Sequence, residues 1–465
     1  MSLATPTRAL GSRIGARLSR ASHLNRWVVL SVAIGLIAGS GAIVFYATLT
    51  EATHLLLGVL AGYHIPTPAG EGGHPGSAGY VRPWAIPLVV GLGGLLSGWL
   101  VFTFAPEAEG HGTDAAIAAV HHNPRGIRVR AIVVKILASA LTIGSGGSGG
   151  REGPTGQISA GFGSLLARWL NLSTDEGRVA VSVGIGSGIG AIFSAPLGGA
   201  LLAAEIVYRE DFESAALLPG LVASVVAYSV FGSVEGFTPL FHLPQPYRFD
   251  SPGQLLWFAV LGIVAGGVGL LYAKSFYAFM TFNKRLPIPR ALRPAAAGVV
   301  VGLIALPLPE VLGTGYGWIQ RALVTPDLAA IPLLVVVLLP FARIVATSLS
   351  IGSGGSGGVF GPGMVIGAFT GAALWRLVEG WAPAVPHDPA AFVVVGMMAC
   401  FGAISRAPIA VTVMVAEMTG SIAEFVPAMI AVGLASMIVR HWDATIYSEQ
   451  LRTRDDSAAV TTRHP

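Results

Sequence analysis

Residues 144–154 read Gly-Ser-Gly-Gly-Ser-Gly-Gly-Arg-Glu-Gly-Pro, and residues 352–362 read Gly-Ser-Gly-Gly-Ser-Gly-Gly-Val-Phe-Gly-Pro. The copies share seven letters, differ at two, and rejoin at Gly-Pro. Each follows an apolar run, 131–143 and 333–351, and each Gly-Pro opens another apolar stretch. A flexible Gly/Ser linker has this composition, but an unpaired backbone between apolar segments is costly in lipid. The GxGxxG spacing within 144–149 is a weak dinucleotide signal, and no βαβ pattern surrounds it. Small residues also let helices pack closely, which explains glycine but not Glu152. A second echo supports duplication. Phe193-Ser194-Ala195-Pro196 is answered by Ile404-Ser405-Arg406-Ala407-Pro408, and the apolar runs that follow end at Glu205 and Glu417. We therefore expect a first membrane repeat at 27–245, a connector at 246–253 and a second repeat at 254–454. A basic helix at 1–26 and a tail at 455–465 flank them. Matching Gly/Pro-interrupted segments in two halves point to a transporter's binding site.

Composition sets the solvent. Of the 465 residues, 53% are hydrophobic and 11% charged, against roughly 25% charged in soluble domains. Too little charge is present to cover a soluble surface, so most of it must face lipid. A helical span takes about 20 mostly apolar residues, and 27–49, 84–104, 255–276 and 331–346 qualify. The 62 glycines and 30 prolines break the shorter apolar pieces, predicting broken or re-entrant helices whose bared backbone faces protein or a wet cavity. The fold class expected is all-α and integral to the membrane. Cys400 is the sole cysteine, which excludes a disulfide within the chain.

Arg8, Arg13, Arg17, Arg20 and Arg26 stand at the N-terminus without an acid among them, and Arg440, Arg452, Arg454 and Arg463 near the C-terminus. The positive-inside rule then places both termini in the cytoplasm, with an even number of crossings. The N-terminal stretch suits an amphipathic surface helix and not a cleavable signal peptide. If each half crosses an odd number of times, the second is inverted relative to the first. The net charge of +4 is read as topology, with no nucleic-acid partner. The localisation expected is multi-pass in the cell (inner) membrane.

A glycine loop directly before a helix presents free N–H groups, and the helix end adds about half an elementary positive charge. Such a place binds anions without a fixed cation, weakly enough for the ion to leave again. Two loops brought together by an inverted repeat would aim two helix ends at one point. Glu152, at the start of the helix after the first loop, can occupy that site when charged and vacate it when protonated. An ionisable group in an apolar membrane segment is a functional candidate by default. A membrane-embedded enzyme is disfavoured: His121-His122 is the sole adjacent histidine pair and no HExxH spacing occurs. No metal or cofactor is expected.

These residues resemble the CLC family of chloride channels and proton/chloride antiporters, from about residue 27 to 453. Gly150-Arg151-Glu152-Gly153-Pro154 is similar to the family's GREGP segment, whose glutamate is the gate. Gly358-Val359-Phe360-Gly361-Pro362 is similar to GxFxP, with Gly357 and Gly358 in the second loop. Tyr447 is similar to the tyrosine that contacts the central ion, and 396–418 is also family-like. The resemblance implies about eighteen tilted and broken helices in two inverted halves, and a homodimer with one pore per subunit. It implies anion contacts at His111, Gly112, Thr113, Arg151, Gly153, Val359, Phe360 and Tyr447. A cytoplasmic CBS pair, common in the family, is not expected after Arg454. Two positions depart. His111 stands where the family type has an ion-coordinating serine. It is able to bind the anion through an N–H, more tightly and with pH sensitivity if protonated, or to turn away into a plain hydrogen bond. Ile206 stands where antiporters usually carry an inner glutamate; the adjacent Glu205 is a candidate proton path that could substitute, although one helical step turns about 100°. On that ground the sequence leans toward a passive or proton-gated chloride channel, with proton-coupled antiport as the alternative.

Overall fold

The computed structural model describes residues 23–245 and 247–457. Among these are seventeen α-helices and no strand, the extended backbone being limited to three isolated bridges. In the first half, α1 (His23–Thr53) runs on through a π-helical turn to Ala61. It is followed by α2 (Ala85–Phe104), α3 (Thr113–His122), α4 (Val129–Gly144), α5 (Glu152–Trp169), α6 (Thr174–Ile192), α7 (Pro196–Glu205) and α8 (Ser214–Glu235). In the second half come α9 (Gln254–Arg285), α10 (Arg293–Ala305), α11 (Tyr316–Ala322), α12 (Thr325–Ala330), α13 (Leu333–Gly352), α14 (Phe360–Val378), α15 (Ala390–Ile404), α16 (Pro408–Thr419) and α17 (Phe425–His441). The order of lengths and breaks repeats. A one-turn 3-10 helix beginning Pro-Glu precedes both α3 (Pro106–Ala108) and α11 (Pro309–Val311).

The breaks have local causes. Ser194 and Arg406 are left-handed, with φ of 54° and 57°. This conformation is uncommon for a residue bearing a Cβ, and it ends α6 and α15 at matching points. Pro196 and Pro408 then occupy the first helical position of α7 and α16, where a missing N–H breaks no bond. At α6, Ser173 and Glu176 form a reciprocal capping box, satisfying two orphan donors.

Among the described residues five helices are long and apolar enough to cross a membrane: Asn25–Ala61, Ala85–Phe104, Ser214–Glu235, Gln254–Arg285 and Leu333–Gly352. Ser214–Glu235 adds to the spans marked out from sequence and carries an internal Pro219. Large apolar side chains lie open on these helices, among them Leu88, Trp99, Leu256 and Leu334, each more than half exposed. That surface suits lipid and not water. By contrast, α5, α6, α14 and α15 are almost wholly buried, so the Gly/Pro-bounded helices form the centre. The surface helix expected at 1–26, with Arg8, Arg13, Arg17 and Arg20, and Arg463 in the tail lie outside the described residues, apart from its last turn. There Arg26 pairs with Glu176 at 2.6 Å.

Candidate anion pathway

The two Gly-Ser loops face each other and are wired by the same bonds read in opposite directions. Ser148 Oγ meets Thr347 Oγ1 at 2.8 Å, and Ser356 Oγ meets Ser139 Oγ at 2.8 Å. The Ser148 amide donates to Ser350 Oγ, and the Ser356 amide to Thr142 Oγ1. Thr347 and Ser139 lie five residues before Gly352 and Gly144, and Ser350 and Thr142 two before, so each loop is gripped by matching turns of the other half's helix. The turns before α3 and α11 add crossed backbone bonds. Gly110 N donates to Gly355 O and Gly357 N to Gly110 O, while Gly313 N donates to Gly146 O and Gly149 N to Gly313 O. On the axis, Gly150 and Gly358 exchange both backbone bonds, at 2.8 and 2.6 Å. The serines thus tie the halves together.

This brings the N-termini of α5 and α14 together, and Glu152 lies between them. The residue is 1% exposed. Its Oε1 accepts from the Gly361 amide at 2.9 Å and its Oε2 from the Tyr316 hydroxyl at 3.3 Å; the Phe360 amide also faces it. A Cβ on Gly150 or on Gly358 would run into this carboxylate, so glycine at those two positions is what admits it. The carboxylate holds a place where backbone amides and two helix ends favour a negative charge. Phe360 walls this point, its ring packed on Phe193 at 5.4 Å and Phe401 at 4.2 Å. The Val359 carbonyl is taken by the Tyr272 hydroxyl. Tyr447 is buried, edge-on to Phe401 and tilted against His111, and its hydroxyl interacts with the Thr113 side chain.

His111 is 5% exposed. Nε2 bonds Asp114 Oδ2 at 3.0 Å, while Nδ1 is buried with no protein partner. Asp114 is itself held by the Ser448 hydroxyl at 2.7 Å and the Glu449 amide at 3.2 Å. The Gly112 and Gly153 backbones press together here, leaving no space for a side chain on either.

Several groups escaped the sequence reading. Lys135 and Arg343 are each 0% exposed, and each lies nine residues before the first glycine of its loop. Lys135 Nζ donates to the carbonyls of Ala108 and Gly110, and Arg343 to those of Glu310, Leu312 and Gly313. Among the described residues neither has an ion-pair partner. A buried cation held on backbone carbonyls behind each loop favours anions there, and the shared offset was a readable signal. So was Tyr316: Gly313-Thr314-Gly315-Tyr316 occupies the place in the second half that Gly110-His111-Gly112-Thr113 holds in the first.

Other expected residues have different surroundings. Arg151 does not reach the Glu152 carboxylate. Its guanidinium is paired with Glu71, bonded to the Ile192 carbonyl and set against Tyr46, Phe193 and Tyr316. Glu205 accepts from the amides of Ile409 and Ala410, capping α16, while Glu417 accepts from Leu197 and Gly198, capping α7. The paired glutamates therefore brace the halves reciprocally. Ile206 is fully buried and apolar.

Residues 93–440 match the family described as voltage gated chloride channel. The chain belongs to the CLC family. It is 32% identical over 385 residues to a protein of Ralstonia nicotianae named putative chloride channel protein ClcB-like, covering 80% of this chain and 87% of the relative. It is 31% identical over 356 residues to the H+/Cl− exchange transporter ClcA of Vibrio parahaemolyticus, covering 74% of each. Among solved structures, a slow cyanobacterial Cl−/H+ antiporter shares the fold at a TM-score of 0.77 and 24% identity, over 91% of this chain and 96% of that one. A CLC-type fluoride/proton antiporter does so at 0.75 and 21%, over 93% and 100%. CLC membership makes this a chloride-transporting membrane protein, and the all-helical CLC fold agrees with the expectation from sequence.

Proposed function

We propose that this protein exchanges chloride for protons, with Glu152 acting as both gate and proton carrier. The observation that carries the reading is the seat of its carboxylate on the amides at the start of α14. When Glu152 takes up a proton its charge vanishes, its hold on those amides weakens, and chloride takes the place. When chloride leaves, the ionised side chain returns and the proton departs on the side it then faces. One site serves both ions in alternation, which is what couples them. The exchange named for the Vibrio relative supports this over the channel that Ile206 had suggested.

In this reading Gly112, Thr113, Val359, Phe360 and Tyr447 surround the ion, with Gly153, Gly357 and Gly358 shaping its path. Arg151 acts from the mouth beyond the gate. The His111–Asp114 pair lies on the proton's route on the Tyr447 side, in place of an acid at 206. The repeats are 27–245 and 254–454, both termini are cytoplasmic in the cell membrane, and the protein is a homodimer of complete pores. It is a transporter and not an enzyme.

Proteoliposomes loaded with chloride test the exchange. Chloride efflux down its gradient is expected to drive proton uptake against a clamped potential. Efflux with no proton movement would restore the channel.

A further inference from the structure

The mouth beside Glu152 holds a second carboxylate, brought in from the loop between α1 and α2. Its 3-10 turn, Ala69–Glu71, places Glu71 on Arg151, the residue next to the gate. Two cavities meet there. One, of about 290 Å3, extends past His54, His64 and His74; the other, of about 250 Å3, extends past Ser194 and Glu235. Both are lined by Tyr46, Glu71 and Arg151. The Glu71–Arg151 pair therefore stands as a partition across what would otherwise be one vestibule above the gate.

The two partners are held differently. Arg151 sits in a fixed nest: its side chain is 4% exposed, bonded to a carbonyl and set against Tyr46, Phe193 and Tyr316. These contacts hold it in addition to the carboxylate. Glu71 rides on a half-exposed turn clipped down by few polar bonds. The Gly70 amide donates to the Leu240 carbonyl at 3.0 Å, and the Ala69 amide to Gln320 Oε1 at 3.4 Å. Gln320 is in turn tied to both the amide and the carbonyl of His242. If Glu71 leaves, the carbonyl and the three rings still hold the guanidinium, whose charge is then open to another anion.

Resting on the exchange reading above, we propose that Glu71 is a tethered competitor for the transported anion. Chloride arriving at this mouth displaces Glu71 from Arg151, the two cavities join, and the ion has a cationic waypoint one residue from the gate. A carboxylate tethered beside its cation has an effective concentration on the order of millimolar, so it raises the chloride concentration needed on this face alone.

Chloride flux through full-length protein in oriented proteoliposomes, with chloride varied on one face at a time, tests this. Glu71→Gln is expected to lower the half-saturating chloride severalfold on the Arg151 face and to leave the opposite face unchanged. A Glu71→Gln protein with reduced maximal flux and unchanged half-saturation on that face would mean that Glu71 only braces the fold, overturning the proposal. If that variant does not assemble, Gln320→Ala releases the turn with both charges intact. A fall in half-saturation on the same face supports the proposal, and no change overturns it. Wild-type protein that moves no chloride would count against the exchange reading and is distinguishable from either result.

Discussion

At Ser148 and at Ser356 the chain makes the same contact twice, each hydroxyl crossing to the other half at 2.8 Å. A few residues later the two copies part. The first continues into Arg151-Glu152, which carry a cation and a carboxylate; the second continues into Val359-Phe360, which can offer amides and a ring. The duplicated part supplies architecture: crossed serines, crossed glycine turns, a buried cation nine residues before each loop, and reciprocal glutamate caps. The unduplicated part supplies the titratable charge. Symmetry thus sets two helix N-termini against each other, and its local violation puts a carboxylate between them.

The comparison is broken most severely at the buried cations. Lys135→Met and Arg343→Met should each cut chloride affinity about tenfold, since a unit charge several Å away is worth on the order of 1–2 kcal/mol in a partly polarisable interior. Lys135→Arg and Arg343→Lys should retain most of it. Chloride titration by flux reads both, and a large effect at one position with none at the other would deny their equivalence.

The reciprocal caps come next. Glu205→Gln and Glu417→Gln should each lower stability by ~1 kcal/mol, the usual worth of a helix N-terminal partner, and by similar amounts in thermal unfolding in detergent. A selective loss of proton coupling in Glu205→Gln would instead make that residue part of the proton path. His111→Ser is expected to lower the protons moved per chloride while leaving chloride flux in place; an unchanged ratio would remove the His111–Asp114 pair from the path. The smallest effects belong to the crossed hydroxyls. Ser148→Ala and Ser356→Ala should cost about 1 kcal/mol each, a typical net hydrogen bond, and each should couple to its partner, Thr347 or Ser139, in a double-mutant cycle.

Much of this was legible before any coordinates. Identical letters at 144–150 and 352–358 exposed the duplication, and Gly-Pro punctuation between apolar runs gave broken helices. Glu152 was legible because ionised groups seldom enter apolar segments. The wiring was less so. Ser139 and Thr347 do equivalent work with different letters, five residues outside the motif, and only the packing of one half on the other shows which hydroxyls meet. Lys135 and Arg343 were readable as buried charges at equal offsets, but differ in type. Glu71 carries no motif: it reaches Arg151 across eighty residues through a surface turn, a contact with no periodicity to announce it. The lean toward a channel came from one apolar letter, Ile206, and an absent acid at one position does not say which other group takes the proton.

The central claim is that the Glu152 carboxylate is the stand-in whose protonation exchanges with the anion. Glu152→Gln, with the shape kept and the charge removed, tests it most directly when chloride and proton fluxes are recorded together in proteoliposomes across a pH series. The account predicts that chloride still moves, that its rate no longer depends on pH, and that proton movement stops. Proton movement still coupled to chloride in Glu152→Gln, with the wild-type pH dependence intact, would contradict it.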